Sequence, residues 1–220
     1  MNRIRTVFED DSVIVVEKPA GLLTMATETE RERTAYAVLR ESANRKRPPE
    51  KIFIVHRLDR EASGLLVFAK TIEAKEKLQD QFKDHSAGRR YIALVEGRVT
   101  PDNFTIRSYL AENSVFRVYS TKKSKEGKLA VTHVHVIRGS PKTTLVEVRL
   151  ETGRKHQIRV HLAERGHPIV GDKAYGSRSN PIKRMALHAA QLDFRHPVTG
   201  RSMHFESSHP RSFLHLPPKG

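Results

Sequence analysis

The 220-residue chain carries 40 Lys and Arg against 25 Asp and Glu, a formal net charge of +15 at pH 7. It has no Cys, which excludes disulfides, thiolate chemistry and cysteine zinc sites and makes a reducing cytoplasm the natural setting. No apolar run approaches the ~20 residues of a membrane helix, and a cationic excess of this size suits a polyanion such as nucleic acid. A membrane surface is the alternative partner, but no long basic amphipathic helix supports it. With no Trp and only 6% aromatics, an extended stacking platform for single strands is not expected.

Residues 4–8 and 12–17 read as two short strands, the second apolar on both faces at Val13-Ile14-Val15-Val16. Pro19 and Gly21 in Glu17-Lys18-Pro19-Ala20-Gly21-Leu22-Leu23 force a turn. Ala35, Val38 and Leu39 predict a short helix from Thr34 to Asn44, broken by Arg45-Lys46-Arg47-Pro48-Pro49. That basic loop is either solvated or a phosphate contact.

Ile52 to Val55 and Gly64 to Ala69 read as strands enclosing a charged turn, His56-Arg57-Leu58-Asp59-Arg60. Nearby cations favour an ionised carboxylate, so Asp59 is the first candidate for chemistry. Thr71 reads as a helix N-cap, followed by Ala74, Leu78 and Phe82 on one face. A strand follows at Arg89 to Gly97, in which Tyr91 is either a half-buried strand aromatic or a ring facing a site.

Several short strands are expected over 104–138. Lys122, Lys123, Lys125 and Lys128 rim a turn, either as phosphate contacts or as guards of an edge hairpin. His133 and His135 share a strand face, but no third ligand at a recognisable spacing accompanies them. A strand over 144–150 pairs back on 130–138. A helix is expected to begin after Thr152-Gly153, with Arg154 and Lys155 in its first turn. Cations there oppose the helix dipole unless an anion is bound. Turns at 166–172 and 196–200 and a Pro-rich end from 207 complete the chain. No repeat, linker or composition break is visible, so one domain over 1–220 is expected, with no signal peptide.

Phosphate-binding loops, dinucleotide fingerprints and serine elbows are absent, and Asp59 has no paired catalytic carboxylate. The remaining trio of Asp59, Tyr91 and Arg154 would suit nucleophilic or general-base chemistry on a nucleotide.

These segments together resemble the RluA-type family of RNA pseudouridine synthases. The matching pieces are Glu17 to Leu23, His56-Arg57-Leu58-Asp59 with Ser63-Gly64, Tyr91 to Val95, Thr152 to Arg159, Gly166 to Ile169 with Gly171-Asp172, and Leu187-His188-Ala189. The resemblance implies an α+β fold, a mixed and mostly antiparallel central sheet flanked by helices. It implies that uridine in RNA becomes pseudouridine with no cofactor or metal. By resemblance, Asp59 attacks the sugar or removes a sugar proton, Arg154 pairs with it, and Tyr91 packs on the base and serves in proton transfer. Arg57 fills the gap left by the flipped uridine, and His56 and His188 fall among the substrate-binding residues. Base extrusion costs least in loops, so the expected target is a stem-loop uridine of ribosomal or transfer RNA.

Ala62 stands where the family often has Thr, and Thr24 to Thr27 lacks the family's usual Pro. The matching sequence begins almost at Met1, so the S4-type RNA-binding domain of many relatives is not expected here. A monomer is expected. The rival reading is a non-enzymatic RNA-binding or ribosome-assembly protein on the same scaffold, with a metal hydrolase a distant third.

Overall fold

The computed structural model describes residues 4–28 and 30–214. They fall into two compact units, residues 4–89 with 189–208, and 90–188 with 209–214. Among the described residues there are eleven strands and three α-helices. Among the described residues no helix is long and apolar enough to cross a membrane.

In the first unit, β1 (Arg5–Glu9) and β2 (Val13–Lys18) form a hairpin around an Asp10 turn. Asp10 Oδ1 accepts from the backbone N–H groups of Ser12 and Val13, both at 2.8 Å, which closes the turn locally. β2 pairs antiparallel with β4 (Ser63–Ala69), from Val13 opposite Ala69 to Lys18 opposite Gly64. β3 is only Phe53–Ile54. The strand order is β1-β2-β4-β10, where β10 is Leu187–Arg195; β3 also pairs with β4, and β11 (Ser202–Glu206) with β10.

Helix α1 (Ala35–Asn44) starts at Thr34, whose hydroxyl accepts from Ala37 N–H. Helix α2 (Ile72–Lys83) starts in the same way at Thr71. Ala74 and Leu78 of α2 pack on Val13 and Val15 of β2, Leu65 and Val67 of β4, and Leu192 and Phe194 of β10. Burying a side chain the size of Leu78 contributes ~1.5–3 kcal/mol. The period of 3.6 read from the sequence therefore meets the period of 2 of the sheet on one apolar face.

The second unit has the strand order β5-β9-β8-β6-β7. These are β5 (Gly88–Glu96), β6 (Asn103–Glu112), β7 (Val118–Thr121), β8 (Lys128–Gly139) and β9 (Thr143–Leu150). β6 and β8 run for 10 and 12 residues, longer than the short strands expected there. Helix α3 (Gln157–Glu164) lays Val160 on Leu110, Val118, Ala130 and Tyr175. The pairs β1–β2, β2–β4, β3–β4 and β10–β11 of the first unit and β5–β9, β9–β8, β8–β6 and β6–β7 of the second run antiparallel, and a parallel bridge joins Leu23 to Thr34. The expected α+β, mostly antiparallel architecture is met.

One boundary differs from expectation. Helix α3 begins at Gln157, so Arg154 and Lys155 lie in the loop before it and not in its first turn. The helix opens at His156, held at φ 52°, a left-handed conformation that no sequence rule assigns to His at a helix start. The conflict with the helix dipole is thereby removed: neither cation lies inside the first turn.

Candidate active site

In the first unit, the charged turn is suspended between two side-chain anchors. Lys18 is fully buried at the end of β2. Its ammonium donates to the carbonyls of Leu22 and Ala62, both at 2.7 Å, of Pro19 at 3.1 Å and of Arg60 at 3.3 Å. Three N–H groups are thus shared among four carbonyls drawn from two loops. The buried Thr24 hydroxyl donates to Leu58 C=O at 2.9 Å and accepts from Leu58 N–H at 3.1 Å. Gly21 N–H donates to Arg60 C=O at 2.7 Å, and Ala62 N–H to Asp59 C=O at 3.2 Å. Asp59 is therefore fixed by backbone bonds on both sides, and its side chain is half-buried. At Ala62, where a Thr hydroxyl is missing, these main-chain bonds close the turn. The 24–27 loop, without its Pro, is tied instead through Thr24.

His56 lies two residues before Leu58. Its Nε2 accepts from Val67 N–H at 3.2 Å, which assigns the ring proton to Nδ1. The ring stacks on Phe82 with centroids 4.2 Å apart. Burial, reinforced by the Arg89 cation, pushes the His56 pKa down to about 3, so the ring is neutral near pH 7. With His56 and Leu58 both pinned, Arg57 between them turns its side chain outward and is exposed. Gly64 permits the closest backbone approach in this unit. At φ 113° a Cβ there would lie 2.2 Å from Ala189 C=O.

In the second unit, Arg154 sits in a loop built by Gln157. The Gln157 carbonyl oxygen accepts from Thr152 Oγ1 at 2.8 Å and from Arg154 N–H at 3.0 Å. Its amide donates to Val131 C=O at 3.0 Å and Thr132 Oγ1 at 2.9 Å on β8. Arg154 Nε donates to Leu129 C=O at 2.9 Å and the side chain is half-buried. Behind this loop, His156 Nδ1 meets Tyr175 Oη at 2.9 Å, and the Arg159 guanidinium lies 4.9 Å from the Tyr175 ring centroid. Arg159 closes a two-pronged buried ion pair with Asp172, at 2.7 and 2.8 Å. Tyr91, opposite Val148 on β5, is 8% exposed, and His188 at the start of β10 is 1% exposed. Asp59, Arg57 and His56 thus belong to one unit, and Tyr91, Arg154 and His188 to the other.

Several anchors were not singled out as functional from sequence: Lys18, Thr24, Gln157 and Tyr175. The one usable signal was Lys18, a charge at the end of a strand whose first four residues are apolar. The basic clusters also separate. Lys46 is paired with Glu9 and Glu50, and Arg45 with Glu41, which turns two cations of the 45–47 loop onto the protein itself. Lys122, Lys125 and Lys128 are exposed and make no ion pair among the described residues. His133 bonds Thr105 and Glu151, and His135 bonds Asn103, along a groove of about 510 Å³ on the sheet of the second unit. No group of three His, Asp or Glu able to hold a metal occurs among the described residues.

Known proteins are similar to this chain over most of its length. The sequence model of the RNA pseudouridylate synthase family matches residues 12–164. A Zymomonas mobilis protein named ribosomal large subunit pseudouridine synthase D is 39% identical over 94% of this chain and 70% of its own length. A Nitrosomonas europaea protein of the same name is 37% identical over 94% of this chain, which spans 62% of that relative. Among solved structures, human RNA pseudouridylate synthase domain containing 1 superposes with a TM-score of 0.78 at 25% identity, covering 96% of this chain and 86% of that one. The chain therefore belongs to the RNA pseudouridylate synthase family, and its enzyme class is that of an RNA pseudouridine synthase.

Proposed function

We propose that this protein isomerises uridine to pseudouridine in ribosomal RNA, with Asp59 as the reacting carboxylate. The observation that carries the reading is the 39% identity over 94% of the chain to a relative named for the large ribosomal subunit. The geometry of the first unit supports the role of Asp59. Main-chain bonds and two buried anchors fix its position, as orientation-dependent catalysis requires.

In this reading Asp59 starts cleavage of the glycosidic bond, the freed base rotates, and its C5 carbon rejoins the sugar as the C5 proton leaves. Tyr91 supplies an aromatic surface for the base and Arg154 a cation for the charge that develops. Arg57, exposed beside a rigid turn, enters the space of the extruded uridine in a stem-loop. The protein acts as a monomer in the cytoplasm.

The test is Asp59→Asn. Thermal unfolding and RNA affinity are expected to stay near wild type, while pseudouridine formation falls by at least ~10³-fold, as expected when the reacting group is lost. Pseudouridine mapping of total RNA from cells with and without the protein identifies the site. Retained isomerisation in the variant would sink the role of Asp59. A wild-type protein that binds RNA yet changes no uridine would favour the assembly-protein reading.

A further inference from the structure

The hairpin that joins β6 to β7 presents two apolar side chains to solvent. Val115 and Phe116 are each 74% exposed, more than any other large hydrophobic among the described residues. Their placement is built and not frayed. Asn113 Oδ1 accepts from Arg117 N–H at 2.8 Å and Val115 N–H at 3.2 Å. Phe116 N–H donates to Asn113 C=O at 2.9 Å, and Asn113 N–H to Arg117 C=O at 3.0 Å. Phe116 itself sits at φ 59°, where Gly is favoured and a bulky side chain is strained. An exposed ring on a strained backbone adds nothing to the core of this unit and detracts from stability. Such strain at a well-tied tip points to a ligand.

The surroundings define the ligand's chemistry. Lys155 Nζ lies 5.6 Å from the Phe116 ring centroid, donates to Phe116 C=O at 3.3 Å, and pairs with Glu112. Arg117, the next residue in the chain, is exposed with its guanidinium 5.7 Å from the Tyr175 ring centroid, and the exposed Lys122, Lys125 and Lys128 follow at the other end of the four-residue strand β7. An apolar ring among cations fits a flat aromatic group carried on an anionic backbone. An apolar protein groove would not call for the cations. Lys155 also directly follows Arg154 in the chain, so the tip is stapled to the loop that carries it.

We propose that Phe116, braced by Lys155 and flanked by Val115, stacks on an unpaired nucleobase of the RNA, with Arg117 and the 122–128 lysines meeting the neighbouring phosphates. This rests on the RNA pseudouridine synthase reading and adds a base contact to it.

The experiment compares wild type with Phe116→Gly and Phe116→Trp. The probe is a labelled stem-loop RNA with an unpaired uridine loop, and the readout is affinity across a salt series. Phe116→Gly also removes the backbone strain, so its melting temperature is expected to equal or exceed that of wild type. Its affinity is expected to fall roughly 5- to 100-fold, the range for loss of one stacked base. The slope of log affinity against log salt should not change, because no phosphate contact is lost. Phe116→Trp should bind within a few-fold of wild type.

Unchanged affinity in Phe116→Gly overturns the proposal, as does a loss seen only as an altered salt slope. A wild-type dimer in sedimentation that Phe116→Gly dissolves would assign the tip to a second copy of the chain and also overturn it. Affinity is read separately from pseudouridine formation. A protein that binds the stem-loop through Phe116 but isomerises no uridine would defeat the catalytic reading and leave this one standing.

Discussion

The two units hold their loops with different partners. In the first, Lys18 and Thr24 bond to main-chain atoms of Pro19, Leu22, Leu58, Arg60 and Ala62. In the second, most anchors are side chains bonded to side chains: Gln157 to Thr152 and Thr132, His156 to Tyr175, and Arg159 to Asp172. A main-chain acceptor is present whatever residue occupies the position. The Asp59 turn therefore tolerates change at the acceptors and depends on two donors. The Arg154 loop depends on pairs, and a change in either member of a pair is felt. One arrangement concentrates its vulnerability and the other distributes it.

Losing Lys18 should break this contrast most strongly. Lys18→Ala takes the donor from the buried Ala62 carbonyl and from the partly buried carbonyls of Leu22 and Pro19, while Arg60 C=O keeps the Gly21 N–H, at ~1–3 kcal/mol for each group left unsatisfied. Unfolding in urea is expected to show a loss of at least ~3 kcal/mol on that basis, or no folded protein. Lys18→Arg should not rescue it, because a planar guanidinium cannot take the place of a compact ammonium. A Lys18→Ala protein with wild-type stability would remove the asymmetry.

The side-chain pairs predict a different pattern. Asp172→Asn should cost ~3–5 kcal/mol, because it leaves the buried Arg159 without its counter-charge. Replacing both partners, Arg159→Met with Asp172→Leu, should cost less than the sum of the single changes. Additive losses in this double-mutant cycle would show that the pair is not energetically coupled.

Acid should weaken both units. Burial pushes the His161 pKa down to about 4 and that of His56 to about 3. Both folded values lie below the unfolded value of ~6.5. The unfolded chain therefore binds more protons as pH falls from 6.5, and stability declines with falling pH down to each folded pKa. The slope is expected to approach ~1 kcal/mol per pH unit for each histidine. Burial raises the carboxyl of Glu9, but Lys46 and Lys70 outweigh it and hold it below its ordinary range. Its contribution is lost in the same direction, at lower pH. His161→Asn should flatten the curve between pH 6.5 and 4 in urea titrations, and an unchanged slope would refute the assignment.

The smallest expected effect is at a helix start, where the anchor again acts on main chain but near the surface. Thr71→Ala removes the cap of α2 and should cost ~1 kcal/mol, read as a shift in urea midpoint without a change in slope.

What was legible in the sequence followed local rules. The helix from Thr34, the cap at Thr71, the apolar face of α2 and the β8–β9 hairpin were each written in consecutive or periodic residues. What was not legible depended on residues distant in sequence. The bonds of Lys18 reach residues 60 and 62, and Glu9 takes up Lys46 across 37 positions. The start of α3 was misplaced because His156 adopts a left-handed conformation that Tyr175 helps to hold, and no pattern around 152–156 contains Tyr175. The motifs carried the Asp59, Tyr91 and Arg154 positions by resemblance. The anchors that hold the loops of Asp59 and Arg154 became visible only in the fold.

Gly64 sets a limit of another kind. A Cβ there would lie 2.2 Å from Ala189 C=O, with backbone on that side and no flexible side chain to yield. Every single-base change that alters a glycine codon introduces a residue with a Cβ or ends translation. The position beside the Asp59 turn is therefore closed to one-step substitution. A lineage could change it only after β10 had first moved away, so the spacing of these two strands constrains which paths of descent are open to the enzyme.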